Sequence, residues 1–297
     1  MGPDAASRAT VPGYAGRPVT KAPNWHGLVT LDILFNNLST GLFLVIAAGE
    51  LVQPASFRPL APVAYPIALL FLIADLVCLV LDLGDPSRFH HMLRVWKPSS
   101  PMSLGTWLLT AYAVPVTLVS GIGLLPTSGG LEVARRLLLV VGLVLAVGAA
   151  VYKGVLFSTT AQRGWGDARW LGGYLINSAL VLGAAEGLLL GMVMGQPRVV
   201  NVLRLALQLL LVLNLIALGL LLADIHNPLT QARGPRALAV AGMLAVLGGI
   251  LVPLGLLALE APLPLALAVL LILLGAVIVR NEIVRLPHFL RAASQGG

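Results

Sequence analysis

Charged side chains are scarce in this chain. Asp, Glu, Lys and Arg make up 10% of its 297 residues, whereas apolar residues make up 58%. Soluble domains usually carry about a quarter charged residues. With a mean hydropathy of +0.93, a soluble fold would leave far more apolar surface than one core could bury. The shortage of charge therefore excludes an ordinary soluble protein and indicates a membrane protein.

Cysteine and mid-membrane histidine are lacking too. Cys78 is the one cysteine, which excludes an intrachain disulfide, a protein-ligated iron–sulfur cluster and a CxxCH haem attachment. No histidine falls in the middle of an apolar run, where a membrane haem b needs His pairs. The adjacent His90 and His91 point to different sides of any helix, so they give weak grounds for metal binding. We therefore expect no haem, iron–sulfur cluster or metal site in this chain.

Long apolar runs are abundant, and a bilayer-spanning helix needs about 20 such residues. Segments that alternate like the strands of a membrane barrel do not occur. The sequence therefore predicts an all-α integral membrane protein with eight transmembrane helices, separated by Pro- and Gly-rich turns. We place the spans at about 28–52, 63–84, 104–126, 133–157, 170–195, 203–225, 236–259 and 263–281.

The spacing of the spans suggests a division into two four-helix bundles. We assign residues 27–160 to the first bundle and residues 161–285 to the second. Residues 1–26, rich in Pro, Gly, Ala and Arg, are interpreted as a flexible N-terminal tail, and residues 286–297 as a C-terminal tail. An even number of spans puts both tails on one membrane face, which we call face A.

Positive charge is unevenly divided between the two faces. Fourteen of the 19 Lys and Arg residues fall on face A by this topology. The positive-inside bias would place face A in the cytoplasm. Loop arginines are needed for orientation in any multi-spanning protein, so the net charge of +7 does not indicate nucleic-acid binding. It favours contacts with membrane lipid or a partner protein.

Ionisable residues within the spans are costly and therefore informative. Asp75 and Glu186 lie deepest, and Asp224 lies near the end of span six. Asp75 and Asp82 are seven residues apart and so share one helix face. We interpret Asp75, Glu186 and Asp224 as candidates for a proton path, with structural contacts between helices as the alternative.

Polar side chains also collect at the face A ends of several spans. They include Asp32 and Asn36 in the first turns of span one, Asp82 at the end of span two, Tyr152 and Lys153 near the end of span four, and Arg280 at the end of span eight. Such a place suits a small lipophilic molecule, since hydrogen bonds hold the head and apolar helix walls hold the tail. A quinone or quinol fits this description.

The segment from Asp82 to Trp107 carries a specific motif, DLGDPSRFHHMLRVWKPSSPMSLGTW. It resembles the loop after the second span in the NrfD/PsrC family, the membrane subunits of polysulfide reductase-like complexes. The family pattern runs roughly D-L-G-x-P-x-R-F-x-H-M and then P-x-S-P-M-S-x-G-x-W. Gly41, Asp75 and the sequence YKGVLFS at 152–158 extend the resemblance more weakly along the chain.

The resemblance implies a subunit of the prokaryotic cytoplasmic (inner) membrane that reacts with quinone and carries no redox cofactor of its own. Such subunits exchange electrons between menaquinol or ubiquinol and a ferredoxin-like iron–sulfur subunit, which serves a molybdopterin or other catalytic subunit. In this sequence Tyr152 matches the family tyrosine in span four. Asp32 stands where the family has a histidine, and Val29 where it has an asparagine.

From this resemblance we predict that Tyr152 holds one quinol oxygen and that Asp32 accepts a proton from the other. The predicted further contacts to the headgroup are His26, Asn36, Asp82, Arg88 and His91. Family members commonly carry the quinone face outside the cytoplasmic membrane, whereas the charge bias puts face A inside, and both placements stay open. A proton-coupled transporter or ion-conducting subunit and a purely structural anchor are the alternative functions.

Overall fold

The computed structural model describes residues 25, 27–94, 96–123 and 129–295, and all regular secondary structure in these ranges is helical. Two 3₁₀ helices cover Arg58–Leu60 and Pro86–Leu93, and a π-helix covers Leu244–Leu251. The α-helices are α1 Gly27–Val52, α2 Pro54–Phe57, α3 Ala61–Leu81, α4 Pro101–Ile122, α5 Gly129–Ser158, α6 Leu171–Val193, α7 Pro197–Ala232, α8 Pro235–Met243, α9 Val252–Leu257 and α10 Pro262–Gln295.

The described ranges contain eight helical stretches long and apolar enough to cross a membrane. Helices α1, α4, α5, α6, α7 and α10 each supply one. The second stretch joins α2 to α3 through the first 3₁₀ helix, and the seventh joins α8 to α9 through the π-helix. The prediction of an all-α membrane protein with eight spans is confirmed.

Several helices differ in length from the predicted spans. Helix α7 continues past Asp224 to Ala232, and α10 continues through the predicted C-terminal tail to Gln295. A helix satisfies its own backbone, so it can leave the bilayer without ending. One consequence concerns Arg280, which we expected at a helix end. It lies within α10 and is fully buried.

Helix α1 is the centre of the packing. In its most apolar stretch 78% of residues are buried, against 22% in the stretch formed by α8 and α9. It packs against α3, α5, α6 and α10. Its backbone touches that of α6, because a Cβ at Gly41 would lie 1.9 Å from the Ala179 carbonyl oxygen. Small residues permit such close crossings in membranes.

The division into two four-helix bundles stays a prediction. Neighbouring spans within residues 27–158 do pack side by side, and so do those within residues 171–295. However, α1 packs as extensively against α6, in the second group, as against α3, in the first. The two groups therefore share a broad interface along α1.

Candidate functional site: a cleft at face A

A cleft opens where the face A ends of α1, α3, α4 and α5 meet. Most of its walls are apolar, and its polar groups are concentrated on α1, α3 and α5. This combination suits a ligand with a polar head and an apolar body. The lining residues are Trp25, Val29, Asp32, Leu79, Asp82, Leu83, Met92, Met102, Thr106, Tyr152, Lys153, Leu156 and Phe157.

A buried ion cluster forms one wall of the cleft. The Lys153 Nζ lies 2.8 Å from Asp32 Oδ1 and 2.5 Å from Asp75 Oδ1, and it donates to the Asp32 backbone oxygen at 2.9 Å. The Asn36 Nδ2 donates to the other oxygen of Asp75 at 3.2 Å. All four side chains are buried. Lys153, Asp32 and Asp75 thus place two carboxylates around one ammonium.

The charge balance of this cluster matters for its chemistry. With both carboxylates ionised, one ammonium leaves an excess of one negative charge in a region of low dielectric. A proton delivered to either carboxylate would remove this uncompensated charge. Asp32 lines the cleft, whereas Asp75 lies behind Lys153 and is fully buried. A proton taken from the cleft therefore reaches Asp32 first.

Tyr152 stands beside the cluster on α5. Its ring is held flat against α4, where a Cβ at Gly105 would lie 2.3 Å from two of its ring carbons. Gly105 belongs to the SLGTW end of the loop motif, so the motif glycine leaves the room that the ring occupies. The Lys153 ammonium lies 5.7 Å from the ring centroid, within the range of cation–π attraction.

The loop motif builds the outer wall of the cleft. The Asp85 carboxylate accepts a hydrogen bond from the Ser87 backbone N–H at 3.2 Å and so caps the second 3₁₀ helix. Ser100 precedes Pro101, and together they begin α4. These turns bring Met92 to the cleft. The resemblance therefore rests on residues that shape one wall.

An aromatic cluster fixes the segment that leads into α1. Trp25 stacks on Trp165 with ring centroids 5.1 Å apart and contacts Phe157 at 5.4 Å. Trp165 in turn donates its indole N–H to the Ile283 carbonyl at 2.9 Å. Aromatic pairs of this kind add to the energy of burial. They hold the start of α1 against α5, α10 and the loop before α6.

The predicted headgroup contacts are only partly brought together. Asp32, Asp82 and Tyr152 line the cleft. Asn36 does not line it and instead donates a hydrogen bond to Asp75. Arg88 and His91 are exposed on the second 3₁₀ helix and do not line the cleft. Arg88 instead pairs with Asp85 at 3.0 Å. His26 lies outside the described residues.

The residues predicted for a proton path lie apart from one another. Asp75 belongs to the ion cluster, while Asp224 accepts a hydrogen bond from the Trp170 backbone N–H at 2.8 Å. Both carboxylate oxygens of Glu186 are buried without a hydrogen-bond partner among the described residues. Hydrogen bonds within the described part of the chain therefore do not join the three carboxylates.

Lys153 is the site residue to which sequence reasoning gave no role, although it lies among the polar residues at the face A ends of the spans. Its partners lie 121 and 78 residues earlier in the chain, so only helix packing decides the pairing. A usable signal was present nonetheless: a lysine inside an apolar span needs a buried counter-charge, and Asp32 and Asp75 are placed near the same face.

The fold and the cleft define a multi-pass helical membrane protein with a partly polar cleft at one end of its helices. The sequence matches the family model described as "Polysulphide reductase, NrfD" over residues 19–290. The chain therefore belongs to the NrfD family, which confirms the resemblance drawn from the loop motif.

A curated relative from Mesobacillus selenatarsenatis is described as a subunit of selenate reductase. It is 29% identical over 101 residues, which cover 34% of this chain and 23% of the relative. The match thus spans less than a quarter of the length of that relative. Both comparisons are consistent with a membrane anchor of an oxidoreductase complex.

Proposed function

We propose that this chain exchanges electrons between the quinone pool and an iron–sulfur partner subunit in a prokaryotic cytoplasmic membrane. The main support for this proposal is that the Tyr152 ring and the Asp32–Lys153 ion pair line the same cleft, whose walls are mostly apolar. Membership of the NrfD family supports an oxidoreductase complex. The relative named as a reductase subunit supports a catalytic partner, for which a molybdopterin subunit is our proposal.

The cleft suits the chemistry of a quinol, whether menaquinol or ubiquinol. The Tyr152 hydroxyl can donate a hydrogen bond to one headgroup oxygen, and Asp32 can accept the proton that the other hydroxyl gives up. Lys153 holds Asp32 in place and offsets its charge. Val29 and Leu156 supply apolar surface for the start of the tail. On this proposal two electrons leave the quinol for the iron–sulfur partner, and two protons are released.

The surface charge at face A suits a partner that docks there. Arg94, Lys97 and Arg169 are exposed on the loops around the cleft or between α5 and α6. An iron–sulfur subunit with an acidic surface would be steered to this face. This chain is proposed to hold no redox centre of its own, so electrons must pass directly from the quinol to the partner. Docking of the partner close to the cleft would keep that distance short.

Matched tyrosine and carboxylate variants test the proposal. We expect Asp32→Asn, which removes the proposed proton acceptor, to reduce quinone-linked electron transfer by the complex about 100-fold or more. Tyr152→Phe removes a proposed hydrogen-bond donor and should reduce it about tenfold. The control is Tyr112→Phe, which removes a buried hydroxyl that donates to the Ser39 carbonyl at 3.1 Å, away from the cleft. The rate is measured in membranes and normalised to assembled complex. Unchanged rates in both test variants would refute the assignment.

Proton translocation is a second candidate function, favoured by one observation. Asp75 is fully buried directly behind the Asp32–Lys153 pair, where it could pass a proton from the cleft inward. Glu186 and Asp224 are proposed as later members of such a path. Asp75→Asn in the complex reconstituted in vesicles should then abolish acidification linked to quinone turnover while electron transfer continues. Acidification that persists in this variant would remove Asp75 from the path.

A further inference from the structure

A second groove lies between α7, α8 and α10, well separated in the chain from the residues of the cleft. Its walls are apolar almost throughout and come from α7, α8, the start of the π-helix and α10. The wall residue Leu222 is exposed, so the groove is open along one side. The wall residues include Leu218, Leu221, Leu222, Ile225, Leu238, Gly242, Val246, Ile278 and Ile283.

Glycine residues mark where the helices around this groove touch and where they leave space. Helix α8 contacts α7 only slightly and packs mainly through the π-helix and α9 against α10. A Cβ at Gly249 would lie 2.8 Å from the Gly275 Cα, so the two backbones touch at that level. Nearer face A, a Cβ at Gly242 would meet no atom within 4 Å, so there is open space beside that residue of the groove wall.

The face A end of the groove is polar and carries a net positive charge. There it continues into a shallower depression lined by Arg233, Arg236, Asn281 and Glu282. Arg233 is already paired, because its Nε lies 3.1 Å from Glu282 Oε2 and its Cζ stacks 3.9 Å above the Phe289 ring. Arg236 forms no ion pair with the other described residues and is exposed. One unneutralised cation thus stands over an apolar groove.

We propose that this groove binds one anionic phospholipid, with its phosphate at Arg236 and an acyl chain between α7, α8 and α10. Arginine is suited to phosphate because its planar fork of donors matches the phosphate oxygens. Arg236 also lies in the first turn of α8, where the unpaired backbone N–H groups favour an anion. Basic pockets between transmembrane helices bind anionic lipid head groups in this way.

The charge arrangement favours an anionic phospholipid over a neutral quinone. A quinone headgroup would gain little from an unpaired arginine, whereas a phosphate gains a charge-assisted hydrogen bond. The length of the apolar wall, from Leu238 near the surface to Leu218 deeper in α7, suits an acyl chain. The lipid would fill the space between α7 and α8 that protein side chains leave open.

The test compares phospholipid retained by purified variants of the complex. Gly242→Leu places a side chain into the groove. Its control is Gly248→Leu, because a Cβ at Gly248 also meets no atom within 4 Å but Gly248 does not line the groove. After extensive detergent washing, bound phospholipids are extracted and counted by mass spectrometry. We expect the unmodified protein and Gly248→Leu to retain about one anionic phospholipid more than Gly242→Leu.

Arg236→Gln provides a second, milder variant that leaves the apolar walls intact. Its control is Arg285→Gln, an exposed arginine of α10 that does not line the groove or the depression above it. Arg236→Gln should shift the retained lipid from anionic to zwitterionic, and Arg285→Gln should not. The proposal is overturned if Gly242→Leu retains as much anionic lipid as Gly248→Leu, if Arg236→Gln keeps the same lipid class, or if Gly242→Leu loses quinone instead of phospholipid.

Discussion

Helix α1 carries a buried ion cluster near each end, and the two clusters differ in their balance of charge. At face A, the Lys153 ammonium serves both Asp32 and Asp75. At the opposite face, Arg135 forms two hydrogen bonds with Glu50, at 2.6 and 3.0 Å, and the Tyr65 hydroxyl donates to the same carboxylate at 2.8 Å. The first cluster has two acids for one base, and the second has one acid for one base.

On the proposed function, the difference in charge balance separates a reactive cluster from a structural one. The Glu50 carboxylate accepts three hydrogen bonds, and its charge is matched by that of Arg135. The Asp32 side chain lines the open cleft and shares its ammonium with a second carboxylate. On the proposed function, burial alone does not identify a functional ion pair, whereas unequal charge beside a cleft does.

The largest effect is expected from Lys153→Met. This change leaves Asp32 and Asp75 buried together without their ammonium, and removing one partner of a buried pair costs about 3–5 kcal/mol. We expect a lower melting temperature of the purified complex and a loss of electron transfer of about 100-fold in the molecules that remain folded. Full activity per folded molecule would show that the cluster is only structural.

Arg135→Met should lower stability by a similar amount, about 3–5 kcal/mol, since it leaves Glu50 buried and unpaired, but it should spare activity. The melting temperature is measured together with the rate per folded molecule. The double variant Glu50→Leu with Arg135→Met removes both charges and should recover much of the stability. If Arg135→Met lowers the electron-transfer rate per folded molecule as much as Lys153→Met does, the two clusters do not differ in function.

A smaller effect is expected from Gly105→Ala. The added methyl group would overlap the Tyr152 ring, whose carbons lie 2.3 Å from the Cβ position, so the ring must move. We expect about a tenfold loss of electron transfer, because small displacements of a positioning group are costly. The matched control is Gly121→Ala on the same helix, where a Cβ meets no atom within 4 Å. Equal rates in both variants would argue against a precise position for Tyr152.

The smallest effect is expected from Arg88→Gln and His91→Ala. Both residues were predicted from the sequence to contact the headgroup, yet both are exposed and neither lines the cleft. The apparent affinity for quinol should change less than twofold, as measured by the dependence of the rate on quinol concentration. If the apparent affinity for quinol falls more than tenfold while the complex still assembles, Arg88 or His91 does contact the headgroup.

The sequence predicted much of the fold because membrane spans are a matter of local composition. Eight apolar runs and their Pro-rich boundaries can be read without tertiary information. The meeting of Asp32, Asp82 and Tyr152 at one cleft was also foreseen, since topology alone puts these helix ends at one face. What topology cannot supply is which helices are neighbours.

The missing parts all depend on helix packing or backbone detail. The pairing of Lys153 with two carboxylates, and of Glu50 with Arg135, joins residues 78 to 121 positions apart. Arg280 was expected at a helix end because hydropathy falls there, yet α10 continues and Arg280 donates to Asn37 and Ser178 in the interior. The π-helix at Leu244–Leu251, which contributes to the wall of the second groove, has no recognised signal in sequence pattern.

Photolabelling with an azido-quinone reports where a headgroup binds without depending on turnover. If quinone binds in the cleft, labelled peptides come from the start of α1 around Asp32 and from the end of α5 around Tyr152, and excess quinone reduces the labelling. Labelling confined to peptides of α7, α8 and α10, with none in the cleft, would contradict this binding site.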